Sequence, residues 1–152
     1  MLKINATGNF QGLTFKQSDR AFRCAQNGFK VLETAAFLHW FESQEFTQLP
    51  DSFKNLLKHD LALTLEQKSF FNYQVIARPW HKRWSSVIGY TQNGVIYTYS
   101  NSFDAMSDAE LSGHIIHEWA HFIGHSHSLK VNSVTLQSLP YMIGEYVEEA
   151  LK

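Results

Sequence analysis

Residues 117–127 read HEWAHFIGHSH, with four histidines, one glutamate and one glycine in a single run. His117 and His121 are four apart. On a helix they stand one above the other on the same face, where one small ion can take both imidazoles. Glu118 is turned about 100° round the axis at 3.6 residues per turn, which places it beside such an ion rather than on it. This is the H-E-x-x-H arrangement, in which two imidazoles hold zinc and the carboxylate polarises a water on it. A zinc centre that keeps one position for water needs a third protein ligand, and zinc lowers the pKa of that water towards about 7. Gly124 lets the chain turn sharply after the helix, and His127 follows three residues later.

The run satisfies H-E-x-x-H-x-x-G-x-x-H at every specified position. In this it resembles the zinc-binding consensus of the metzincin metalloproteases. The resemblance implies one catalytic Zn²⁺ held by His117, His121 and His127, with Glu118 as general base and Gly124 as the turn that returns His127 to the metal. It implies a metallopeptidase acting on a peptide or protein substrate, with Glu118 taking a proton from water and passing it to the leaving amine. Metzincins also carry a methionine-containing turn beneath the zinc. Met142, in SLPYMIGEY, is the candidate, although it falls near an expected helix start. SLPY at 138–141 is similar to a VPY-like segment that follows an H-E-W-x-H-x-x-G-x-x-H run in small bacterial proteins of the family.

Two other readings stay open. In the gluzincins the third ligand is a glutamate on a downstream helix, and Glu145 in EYVEE could supply it; Gly124 and His127 are then unexplained. A reading from another class is a non-catalytic zinc-binding interaction protein, whose site a fourth protein ligand such as His114 or Glu145 would close. His114 otherwise reads as a cleft-edge residue or a partner to a ligand. His125, directly after the turn glycine, is expected in a solvent-exposed loop. His39, His59 and His81 lack metal spacing. Tyr141 and Tyr146 could each donate a phenolic hydrogen bond to the oxyanion of a transition state, or simply pack. Ligand imidazoles must be neutral, so activity is expected to collapse below about pH 5 to 6.

These residues need elements to hold them. SDAE at 107–110 is a capping box that starts a helix over about Asp108 to Ile123, which Gly124 ends. Leu111, Ile115, Trp119, Phe122 and Ile123 share one face for the core, leaving His114, His117 and His121 in front. Ser18 to about Phe46 reads as one long helix capped by Ser18, with Ala21, Ala25, Phe29, Leu32, Ala36 and Trp40 at spacings of three and four. Short helices are expected at 51–59 and, from the capping-box spacing of Thr64 and Gln67, at 64–71. FNYQVIARPW reads as a strand interrupted at Pro79. Val87–Thr91 and Val95–Tyr99 form a hairpin whose Asn93-Gly94 suits a type I′ turn. Val95–Ser100 is the candidate edge to which an extended substrate adds. Pro140 opens a last helix through Lys152. The expectation is α+β: a small mixed or antiparallel sheet with a long N-terminal helix, an active-site helix and a C-terminal helix, like a minimal metzincin.

The chain of 152 residues suits one domain over 1–152. Apolar residues make up 44% and charged residues 18%, a globular balance rather than a disordered one. Thirteen Lys and Arg against fourteen Asp and Glu leave a net charge of −1, so neither nucleic acid nor a membrane surface is an expected partner. A monomer is the expected state. The single cysteine, Cys24, excludes an intrachain disulfide and reads as a buried thiol. With no signal-peptide or membrane-spanning pattern, the cytoplasm is the default expectation.

Overall fold

The computed structural model describes residues 8–11, 13–47, 71–128 and 130–152. His59 and the helices expected at 51–59 and 64–71 lie outside them, except that Phe71 opens a strand. The architecture is α+β, as the sequence suggests.

The N-terminal helix starts earlier than Ser18 and breaks once. Helix α1 spans Phe15–Leu32 and is capped by Thr14, whose hydroxyl accepts from the Gln17 amide while Gln17 Oε1 accepts from the Thr14 amide. That T-x-x-Q box satisfies two orphan donors at once and outcompetes Ser18. Thr34 then restarts the chain. It is extended, and its hydroxyl accepts from the Phe37 amide at 3.1 Å to cap α2, Ala35–Ser43. The break turns Phe37 and Phe41 into the same core that α1 fills with Ala25, Phe29 and Leu32.

Four strands among the described residues, β1 (Gly8–Gln11), β2 (Phe71–Ile76), β3 (Gly89–Gln92) and β4 (Val95–Tyr99), form one mixed sheet in the order β1-β2-β4-β3. β1 pairs parallel with β2 and β2 with β4, while β3 and β4 form the expected antiparallel hairpin. Asn93 and Gly94 have φ of 51° and 72°, the two positive values a type I′ turn requires. The edge is β3, however, not the Val95–Ser100 strand. β4 is inside because β2 takes its second edge, and its Ile96, Thr98 and Tyr99 are buried.

Helix α3 (Ser100–Ala105) follows β4 directly and leads to α4, Asp108–Phe122. The capping box on α4 is present as expected, with Glu110 Oε2 accepting from the Ser107 amide at 2.7 Å. Arg20 of α1 ties this junction: it pairs with Asp108 at 2.7 Å and donates to the carbonyls of Phe103 and Met106. After α4 come α5 (Ser133–Leu136) and α6 (Leu139–Ala150). α4 is the centre of the molecule, packed between α1 and α6. Leu111, Ile115 and Trp119 are buried on its back, and Trp119 meets Phe29 edge-on at 5.3 Å. Phe122 and Ile123 are only partly buried at its end. Among the described residues, no helix is long and apolar enough to cross a membrane.

Candidate metal centre

α4 carries His117 and His121 one turn apart, and the chain beyond it brings His127 back. Gly124 has a φ of 106°, a conformation that side-chain-bearing residues rarely adopt. Its amide donates to the His121 carbonyl and the His125 amide to the Ala120 carbonyl, closing the helix end. The three Nε2 atoms then converge: 3.2 Å between His117 and His121, 3.0 Å between His121 and His127, 3.2 Å between His117 and His127.

The other ring nitrogens decide what this cluster can be. His121 Nδ1 donates to the His125 carbonyl at 2.6 Å, and His127 Nδ1 to the Ser128 carbonyl at 2.9 Å. His117 is hydrogen-bonded to the backbone at Pro140. An imidazole that spends its proton on Nδ1 offers only a lone pair at Nε2. Two such acceptors at 3.0 Å cannot hydrogen-bond each other; they repel unless a cation lies between them. Burial also holds the rings neutral, pushing His117 well below the usual histidine value and His121 below it. Neutral imidazoles anchored through Nδ1 are the donor set zinc takes. A tetrahedral zinc with bonds of about 2.0–2.1 Å separates its nitrogens by roughly 3.3 Å, close to the spacing here. The residues fit the ion. Among the described residues no fourth His, Cys, Asp or Glu joins the group.

Glu118 lies beside it, buried and lining the same cleft. Burial raises its carboxyl to about 7, offset in part by a hydrogen bond from Thr91 Oγ1 to Oε2 at 2.8 Å. Thr91 belongs to the edge strand β3, so the sheet edge props the carboxylate against the helix. Sequence reasoning missed Thr91; only the hairpin register puts it there.

Tyr141, in the first turn of α6, stands over the centre. Its ring lies 4.5 Å from that of His117 and 4.6 Å from that of His127, and burial together with the Glu118 charge raises its phenol. Tyr146 does not reach the site. It packs on Trp40 at 4.4 Å and Phe37 at 5.3 Å, because five positions along a helix turn it to the opposite side from Tyr141. Met142 lies within α6 rather than in a turn, its amide donating to the Ser138 carbonyl and its side chain against the core. Pro140 near the helix start draws SLPYM into the helix instead.

His125 is buried, not exposed on a loop: its carbonyl receives His121 and its ring is held neutral by burial, at about 4. His114 is also buried, at about 4 for the same reason, and bonds Thr98 rather than joining the ligands. Glu145 is exposed on α6 at the cleft wall and stays outside the ligand group. His39 and His81 are exposed, and Cys24 is buried with its thiol pushed up to about 11.

The cleft runs between the β3 edge and α6, with α4 as its floor. No protein-family model, no curated protein and no solved structure matches the chain.

Proposed function

We propose that the chain is a zinc-dependent metallopeptidase, with His117, His121 and His127 as ligands and Glu118 as general base. The observation that carries this reading is the convergence of three Nε2 lone pairs, 3.0–3.2 Å apart, with the protons of His121 and His127 fixed on Nδ1 by main-chain carbonyls. Bound zinc supplies Lewis acidity at the open position of such a three-ligand site.

The chain's own residues supply the rest. Glu118, hydrogen-bonded at Oε2, has a carboxyl whose raised pKa suits accepting and returning a proton near neutrality. It takes a proton from the water that adds to the scissile carbonyl carbon and delivers it to the amine nitrogen as the C–N bond breaks. Tyr141 offers a phenolic O–H to the oxygen that gains charge. β3, the edge strand among the described residues and a wall of the cleft that holds Glu118, suits an extended peptide held by main-chain bonds.

The test is Glu118→Gln against a peptide library. The variant should bind zinc one to one like the wild type and lose turnover by about a thousandfold or more. Cleavage by the variant at the wild-type rate would sink the mechanism. A spectroscopic coordination sphere with a fourth protein ligand would favour a non-catalytic zinc protein.

A further inference from the structure

His114 has no part in the metal centre, yet it stands one helical turn before His117 and lines the same cleft. It is 7% exposed. Its Nε2 lies 2.9 Å from Thr98 Oγ1, and that oxygen accepts from the Tyr73 hydroxyl at 2.8 Å. Thr98 and Tyr73 are both fully buried.

This relay favours one state of the ring. A hydroxyl has one proton to give. With Tyr73 donating into its oxygen, Thr98 directs its own proton to His114 Nε2, and a neutral imidazole accepting there carries its proton on Nδ1. β3 braces the same edge of the ring. A Cβ on Gly89 would stand 2.8 Å from both His114 Cε1 and Nε2, so only backbone fits there. Nδ1 makes no hydrogen bond to the described residues and is not sealed from solvent. His114 lines the cleft, which puts it within reach of an occupant. An occupant that displaces water from this N–H must bring an acceptor in its place, so the site favours one that carries an oxygen there.

We propose that His114 Nδ1–H is a fixed hydrogen-bond donor for a carbonyl oxygen of the bound peptide, making His114 a substrate-binding residue. The choice of a peptide rests on the metallopeptidase reading; the tautomer rests on the relay from Tyr73 through Thr98. Thr98 and Tyr73 are then positioning residues that act through His114. A donor held this way adds no charge and needs no reorientation when substrate arrives.

Two measurements test this. Nitrogen-15 spectra of the zinc-loaded protein should show His114 protonated at Nδ1, and Thr98→Val should erode that single tautomer. Protonation at Nε2 in the wild type would overturn the proposal. The second measurement titrates a peptide cleaved by the wild type into zinc-loaded Glu118→Gln protein. Adding His114→Leu should weaken binding about tenfold with zinc content unchanged. Adding His114→Asn instead, whose amide nitrogen can replace Nδ1, should restore most of it. Thr98→Val keeps the ring in place and should weaken binding several-fold, which covers misfolding of the leucine variant. Binding unaffected by His114→Leu would overturn the inference alone. A wild type that cleaves and binds no peptide would overturn the metallopeptidase reading and, with it, the assignment of the donor to substrate.

Discussion

Gly113 and Gly144 touch where α4 crosses α6. A Cβ on Gly113 would stand 2.6 Å from the Gly144 carbonyl oxygen, and one on Gly144 would stand 2.9 Å from the Gly113 oxygen and 3.1 Å from His117 Cβ. Glycine inside a helix forgoes roughly 0.5–1 kcal/mol relative to alanine. Here that deficit admits a main-chain contact that seats Tyr141 against His117. Gly144→Ala should therefore destabilise the protein despite its better helix propensity, by about 1–3 kcal/mol. It should also weaken zinc binding, because the added methyl presses on a ligand. Urea melts with and without zinc check both effects; a more stable variant with unchanged affinity would show that the crossing has slack.

The four histidines of the run should separate cleanly in metal binding. Alanine at His117, His121 or His127 removes a converging nitrogen and should abolish stoichiometric zinc. His125→Ala should retain it, since position 125 serves the site through its carbonyl. Zinc at a hundred times its Kd should raise wild-type stability by about 2.7 kcal/mol, and a chelator should remove that gain. Metal analysis and thermal melts on the four variants decide the assignment.

Acid dependence of the metal-free protein contains two opposing contributions. His114 and His125 are lowered to about 4 from 6.5, and His117 and His121 are lowered as well. The unfolded chain therefore binds more protons between those values, and stability falls as pH drops from about 6.5 to about 4. Glu118 is raised to about 7 from 4.5. The native state binds its proton first, so this group favours folding below 4.5 and loses that contribution as pH rises through about 7. The shifts of His114, His125 and Glu118 are each worth about 3 kcal/mol, so the histidines together outweigh the carboxyl and acid destabilises the metal-free protein on balance. Glu118→Gln removes the carboxyl's part. Its metal-free form should lose stability more steeply from pH 6.5 to 4.5 than the wild type in urea titrations. Parallel curves would show that Glu118 is not shifted.

The two tyrosines of α6 predict opposite phenotypes. Tyr141→Phe should keep zinc and the fold while lowering kcat about 10²-fold, the scale of losing one oxyanion donor. Tyr146→Phe should change neither. Tyr146→Ala should cost about 3 kcal/mol of stability through its lost contacts with Trp40 and Phe37, with kcat intact in the folded fraction. Steady-state kinetics and denaturant melts on the three variants separate the roles.

Local chemistry was the readable part of the sequence. SDAE, Asn93-Gly94 and Gly124 each dictate a backbone geometry within a few residues, and each appears where its pattern placed it. The spacing within 117–127 likewise brings the three imidazoles together. What failed depended on competition or on distant partners. Thr14 displaced Ser18 because its box has both halves, and Thr34 divided a helical pattern that looks continuous by apolar spacing alone. The inner place of β4 depends on β2, about twenty residues upstream, whose parallel pairing leaves no local mark. Thr91 and Thr98 became partners of Glu118 and His114 only through that register.

The three converging imidazoles are held by carbonyl oxygens at 125, 128 and 140. Every residue carries a carbonyl oxygen, so these anchors ask for a backbone path and not for particular side chains. At positions 125 and 128 it is the main chain, not the side chain, that grips the rings. Kinship with other three-histidine proteins would then be written in the trace of the main chain after Gly124, more than in letters outside the run itself.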